Sequence, residues 1–267
     1  MKKFLNTFAY LTAAAVLFCA LPSHAKIVFK DPKKDDKGPG KYKYPTHKSY
    51  KKGDFDLRKV VIKKSGSNVI FKVTLRNRIK DVWKSKSWGG NGFSVQFVQI
   101  YIAKGKKKGF KRSLPGLNVK FAKKWQKVVL LSPQGKTRLK SEINLKAKRF
   151  KKGIVIPQTT RAQGKNIIAV VPVAALGGYS EKWGFQVIVQ SNEGYPRKKD
   201  LLTRPVNEYP GKHRFGGGHD KDCDPHVIDI LAGKAKGKSS EKRKQYKALV
   251  YKCGKGRKLA VLPFVYK

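Results

Sequence analysis

Val69-Ile-Phe-Lys-Val-Thr-Leu-Arg76 sets Val69, Phe71, Val73 and Leu75 on one side of an extended chain, and Ile70, Lys72, Thr74 and Arg76 on the other. Side chains alternate across a strand, so this period of two marks a β-strand with one buried face. Upstream, Phe55, Leu57, Val60 and Ile62 form a second apolar run, separated from the first by Ser65-Gly-Ser-Asn68. Two such runs around a Gly-containing turn predict a β-hairpin. Downstream, Phe93-Ser-Val-Gln-Phe-Val-Gln-Ile-Tyr-Ile102 is rich in aromatic and β-branched residues and reads as another strand. Further strands are predicted at 128–131, 153–156, 166–171, 183–190 and 259–265. Helical periodicity is weak; Val173–Leu176 and Val227–Leu231 read as single helical turns. The fold class expected is all-β, an antiparallel two-sheet β-sandwich with at most short helical turns.

Residues 26–53 precede this pattern. Pro32, Gly38, Pro39, Gly40 and Pro45 forbid a helix there, so the segment reads as an ordered Gly/Pro loop or extended arm. Residues 1–25 read as a signal peptide: Lys2 and Lys3 open it, Phe8–Leu21 is almost wholly apolar, and Ser23-His-Ala25 supplies the small residues of a cleavage site. Cys19 follows the bulky Phe18, which argues against a lipidation box. With no internal repeat or linker, residues 26–267 are expected to form a single exported domain, periplasmic or at the cell surface.

The formal charge of the chain is +46, from 62 Lys and Arg against 16 Asp and Glu. Loss of Lys2 and Lys3 with the signal leaves 46 − 2 = +44. Such a surface attracts polyanions: acidic polysaccharide, other anionic envelope polymers, or nucleic acid through charge alone. No nucleic-acid-binding motif accompanies it. Cys223 and Cys253 remain after cleavage and are expected to form a disulfide in an oxidising compartment.

The acids cluster. Asp31, Asp35, Asp36, Asp54 and Asp56 lie early; Asp220, Asp222, Asp224 and Asp229 lie late. Two readings stand. Asp ligates hard cations through oxygen, which makes Asp31, Asp35, Asp36, Asp56, Asp220, Asp222 and Asp224 candidate ligands for a structural Ca²⁺. Equally, these carboxylates can cap turns and pair with lysines. Asp220-Lys-Asp-Cys-Asp224 starts like an EF-hand loop, but Pro225 and Leu231 stand where Gly and Glu are needed. His213, His219 and His226 near Cys223 match no zinc spacing.

Catalytic signatures are missing from the chain. It has no Gly-x-Ser-x-Gly elbow, His-Glu-x-x-His, phosphate loop or dinucleotide fingerprint. Asp56 and Asp224 are the only notional pair for a glycosidase, and nothing singles them out. The expectation is a non-enzymatic binder. Candidate ligand contacts are Trp83 and Trp88, in a Lys/Ser/Gly-rich loop, with Asn91, Tyr42 and Tyr44; a loop ring beside Asn and Lys can stack on a sugar face. The competing reading is that these rings plug the ends of the sandwich; for Trp183, inside a strand, core is the better reading.

In order along the chain, Asp31-Pro-Lys-Lys-Asp-Asp-Lys-Gly-Pro-Gly-Lys-Tyr-Lys-Tyr-Pro-Thr46, Asp54-Phe-Asp-Leu57, Asn91-Gly-Phe-Ser-Val-Gln96, Gln99-Ile-Tyr-Ile102 and Leu114-Pro-Gly-Leu-Asn-Val119 occur. Val171-Pro172, Leu176-Gly-Gly178, Trp183-Gly184, Glu193-Gly-Tyr195, Phe215-Gly-Gly-Gly-His-Asp220 and Asp224-Pro-His-Val-Ile-Asp-Ile-Leu231 follow. In combination these resemble the C-terminal binding module of glucodextranase, related to family nine carbohydrate-binding modules and to DOMON-type sandwiches. The resemblance implies carbohydrate binding without catalysis and an ordered Gly-Pro-Gly arm. It also implies a calcium role for the early Asp cluster. The chain departs from the family where acidic residues typically follow the Gln-Ile-Tyr-Ile strand: Ala103-Lys-Gly-Lys-Lys-Lys108 stands there. A DOMON-type haem role would need a bis-His site, because Met1 is the one methionine.

Overall fold

A computed structural model describes residues 26–219, 221–234 and 240–267; the signal-peptide expectation and Asp220 lie outside the described residues. The predicted hairpin forms as β2 (Leu57–Ser65) and β3 (Asn68–Leu75), closing with Ser65 opposite Asn68. Val69, Phe71, Val73 and Leu75 are fully buried, as their alternation requires. The hairpin is the centre of a five-stranded sheet that continues on one side to β1 (Lys26–Lys30) and on the other to β10 (Asn166–Pro172) and β9 (Thr159–Gln163), all antiparallel.

A second five-stranded sheet runs β12 (Asp229–Ile230), β11 (Gly184–Ser191), β4 (Gln96–Ala103), β7 (Lys127–Leu131), β8 (Ile154–Val155). Its last pair is parallel. The main core lies between the sheets, where Ile62, Phe71 and Val73 meet Ile100, Val187 and Val189. This is the expected all-β sandwich. It carries a third layer that the alternation rule did not reveal. Every residue of β4 and β11 is buried, because their other face is covered too. Phe97, Tyr101 and Ile188 point into a second core against β5 (Phe110–Arg112), β6 (Val119–Trp125) and β13 (Ala260–Leu262). A strand buried on both faces loses its polar alternation, which is why residues 93–102 carry aromatic and β-branched residues on both sides of the chain.

Helix content exceeds the single turns expected. Val173–Leu176 is helical (α2), but Val227–Leu231 is not; it leads into β12. The three-turn helix α1 (Lys136–Lys146) and α3 (Glu241–Ala248) were not legible. The apolar residues that helix α1 buries are Leu139 and Ile143, an i,i+4 pair; Glu142 is buried beside them and Leu145 is 76% exposed. It is supported by Arg138–Glu142 and Glu142–Lys146 ion pairs at 2.7 and 2.8 Å. So sparse an apolar stripe gives little periodic signal.

The Gly/Pro arm is an ordered part of the fold. Lys43 and Gly216 exchange backbone hydrogen bonds of 2.9 Å, and Thr46 and His47 donate to Gly211 and Lys212. Gly38 has φ +57, and a Cβ there would lie 2.3 Å from the Tyr42 ring, so only glycine fits.

Candidate functional site

At one edge of the sandwich, the chain leaving β1 meets β12 and the start of α3. Asp31 follows β1, Asp35 lies in the arm and Asp229 opens β12. One carboxylate oxygen from each lies within 4.8 Å of the other two, and all three residues are buried. Asp229 Oδ2 accepts the Leu57 N–H at 2.7 Å. No N–H or hydroxyl donor reaches either carboxylate oxygen of Asp31 or Asp35, and the Asp31 and Glu241 carboxyls lie close enough to share a proton. Unpaired buried carboxylates are costly. Burial first, then Asp229 and Asp35, holds the Asp31 carboxyl well above the usual carboxylate range. Burial, with Asp56 next, pushes Asp35 up to about 7. Burial and Asp35 raise Asp229 likewise. Asp229 Oδ1 also accepts the Ile230 N–H at 2.8 Å. An all-oxygen set of converging carboxyls, two of them lacking an N–H donor, suits a hard cation such as Ca²⁺. Helix α3 backs the cluster: Gln245 donates to the Asp35 carbonyl at 2.6 Å and accepts from Ile230 N–H at 3.2 Å.

The other predicted acids are engaged differently. Asp36 accepts from the Tyr44 hydroxyl and from Gly53 N–H. Asp56, fully buried, accepts from Lys34 N–H at 2.8 Å and lies 3.6 and 3.9 Å from Arg76 and Arg58. Asp222 pairs with Arg197 and with His226. Asp224 receives the Tyr42 hydroxyl at 3.2 Å. Asp222, Asp224 and His226 are close enough to share an ion, but both imidazole nitrogens are taken, Nε2 by Asp222 and Nδ1 by Val206 N–H. The turn-and-pair reading therefore describes Asp36, Asp56 and Asp222. Cation chemistry fits Asp31 and Asp35 with Asp229 and Glu241, which the site prediction omitted. Their signal was faint: Asp229 is an acid inside the apolar run Val227–Leu231, and Glu241 follows the helix cap Ser240, whose hydroxyl accepts from Arg243 N–H. Asp56 and Asp224 are both fully buried and held by other groups, so neither is presented to a glycosidic bond.

Cys223 and Cys253 are disulfide-bonded with Cα atoms 5.7 Å apart, so the Cys223 thiolate needed for zinc beside His219 is not on offer. His47 and His213 pack ring on ring at 4.7 Å and leave no gap for a haem between them.

The predicted aromatic contacts separate. Tyr42 is 3% exposed, and Tyr44 packs between Phe55 and Phe215; neither ring faces solvent as a stacking platform. Their hydroxyls serve Asp224 and Asp36 instead. Trp83 is half-buried against Tyr50 and His213, under the Arg204 guanidinium. Trp183 belongs to the core. Trp88 is 45% exposed. Its loop is held by Asp81, whose carboxylate accepts from Ser85 N–H at 2.7 Å, from Lys86 N–H and from the Ser94 hydroxyl. The Trp88 indole N–H donates to the Trp83 carbonyl at 3.2 Å, which fixes the ring. Gly89 then abuts Gly135, at the rim of a cavity of about 220 Å³ lined by Asn91, Ser132, Gln134, Lys136, Gln158 and Thr160. Asn91 spends both amide N–H donors on the Ser132 and Gln134 carbonyls, leaving its Oδ1 as an acceptor. Amides and hydroxyls bind sugar hydroxyls, and an exposed indole can stack on a ring face.

No described helix is long and apolar enough to cross a membrane. Fold and site together define an all-β module that offers binding surfaces on a rigid sandwich. Residues 27–264 match the family described as the C-terminal binding module, SLH-like, of glucodextranase, and the chain belongs to that family. Comparison with curated proteins gives no match.

Proposed function

We propose that this chain is an exported, non-catalytic carbohydrate-binding module of the cell envelope, acting as one domain over residues 26–267 and directed at an anionic polysaccharide. The observation that carries this reading is Trp88, held 45% exposed by its own loop, in a chain of the glucodextranase binding-module family; the next residue, Gly89, abuts Gly135, which lies between the cavity-lining Gln134 and Lys136. A structural Ca²⁺ held by Asp31, Asp35 and Asp229, with Glu241 beside them, would neutralise the buried carboxylates. It would thereby join the arm, β12 and α3 into one unit. The net charge of 46 − 2 = +44 on residues 26–267 adds long-range attraction for an acidic polymer.

A glycan array probed at low and high salt tests this reading. Stacking on Trp88 persists as salt rises, whereas binding through lysine charge alone falls steeply. Retention of a glycan at high salt, lost in Trp88→Ala, is the expected result. If no glycan is retained above moderate salt and DNA binds equally well, the chain is a general polyanion binder instead.

A further inference from the structure

The lysines after β4 converge with lysines of two other segments on one cleft. Lys104, Lys106 and Lys107 from the loop after β4, Lys123 and Lys124 from β6, and Lys182 from the turn before β11 surround one open cleft of about 690 Å³. No carboxylate lines it. The nearest acid in sequence, Glu181, is paired with Lys267.

The cleft is built rather than incidental. Gln126 accepts from Lys104 N–H at 2.6 Å and donates to the carbonyls of Lys106 and Lys108, which pins the loop at three points. Lys124 Nζ caps the Lys107 carbonyl at 2.9 Å. Lys104 Nζ holds the carbonyls of Leu176 and Gly177 and lies 4.6 Å from the Trp183 ring centroid. Lys123 stands over Tyr266 at 4.8 Å. Partial burial, and after it the charges of Lys106 and Lys127, depresses the Lys104 ammonium.

We propose that this cleft receives the acidic substituents, phosphate, sulfate or carboxylate, of an anionic polysaccharide. The assignment rests on the carbohydrate-binding reading above and says where the ligand's charge is met, on elements separate from the Trp88 loop. Ammonium groups brought to one cleft from three separate chain segments suit point charges borne on a flexible chain. The one open ring, Tyr266, offers a single apolar face. A single-stranded nucleic acid needs a row of exposed rings for successive bases, and here Trp183 is 9% exposed beneath Lys104.

The test compares dextran sulfate with neutral dextran and single-stranded DNA, using the full chain. Lys106→Glu, Lys107→Glu and Lys182→Glu together alter exposed lysines of the cleft. Lys59→Glu, Lys64→Glu and Lys72→Glu make the same charge change on the hairpin sheet. The cleft variant is expected to lose about tenfold or more in affinity for dextran sulfate and to flatten its salt dependence, while the hairpin variant changes less than about twofold. Any neutral dextran binding is unchanged in both. Equal loss in the two variants overturns the cleft assignment and leaves the carbohydrate reading standing. If DNA displaces dextran sulfate from wild type but not from the cleft variant, the cleft is a nucleic-acid site and the proposal fails. If wild type binds neither dextran, the carbohydrate reading itself falls, and the cleft assignment with it.

Discussion

Asp31 and Asp229 bring carboxylate oxygens within 4.8 Å of each other, though one follows the first strand and the other opens β12 near the far end of the chain. Neither has a cationic side chain as partner among the described ion pairs, and Asp35 joins them under the same roof of α3. The sandwich is therefore closed at this edge across a cluster of buried carboxyls whose ionisation is opposed by burial and by one another.

Calcium should stabilise the fold through this cluster. Wild-type Tm is expected to rise on adding Ca²⁺ to chelator-treated protein, by about 2.7 kcal/mol of stability at a hundred times Kd. Asp31→Asn with Asp229→Asn should show no such rise. A calcium-induced shift that survives in the double variant, followed by thermal denaturation, would locate the ion elsewhere.

The pH dependence without calcium has a definite sign. Asp35 is raised from 3.8 to about 7. The native state thus holds its proton more tightly than the unfolded chain. That contribution is complete below about 4 and is lost as pH rises through about 7. Chelated protein should lose stability across this window, and saturating calcium should flatten the loss. Denaturant midpoints measured at fixed intervals of pH with and without chelator check both halves.

Trp88→Ala should weaken glycan binding about tenfold while changing stability by less than about 1 kcal/mol, because the ring is 45% exposed. Trp125→Ala, which empties a fully buried site between Tyr101 and Phe150, should instead cost about 3–5 kcal/mol. Binding isotherms beside urea melts separate the two effects.

The disulfide should couple to the acidic cluster. Glu241 and Gln245 lie inside the segment closed by Cys223–Cys253, which spans 30 residues. Opening it is expected to cost about 3 kcal/mol and, by loosening α3 over Asp35, to weaken calcium binding as well. Titrating calcium into Cys253→Ser by calorimetry reads this directly; an unchanged affinity would show that α3 holds the cluster without the staple.

Local chemistry made the hairpin legible. Val69, Phe71, Val73 and Leu75 need only a period of two to declare their face, and Ser65-Gly-Ser-Asn68 declares the turn. The disulfide followed from two cysteines left to pair, and Asp31 and Asp35 stood out as acids in a basic chain. Other features have no local signature. The third layer covers β4 and β11, and a strand buried on both faces resembles any apolar run. Helix α1 commits only Leu139 and Ile143 to the core. Tyr42 and Tyr44 look in sequence like exposed ring platforms, and only packing turns them inward onto Asp224 and Asp36. The amino-acid sequence by itself determined strand character, charge and the early acids, because these depend on neighbours along the chain. Only the tertiary structure decided which acids share a site and which tryptophan faces solvent. It brings Asp229 to Asp31, and leaves Trp88 out while burying Trp183, through contacts between residues far apart in sequence.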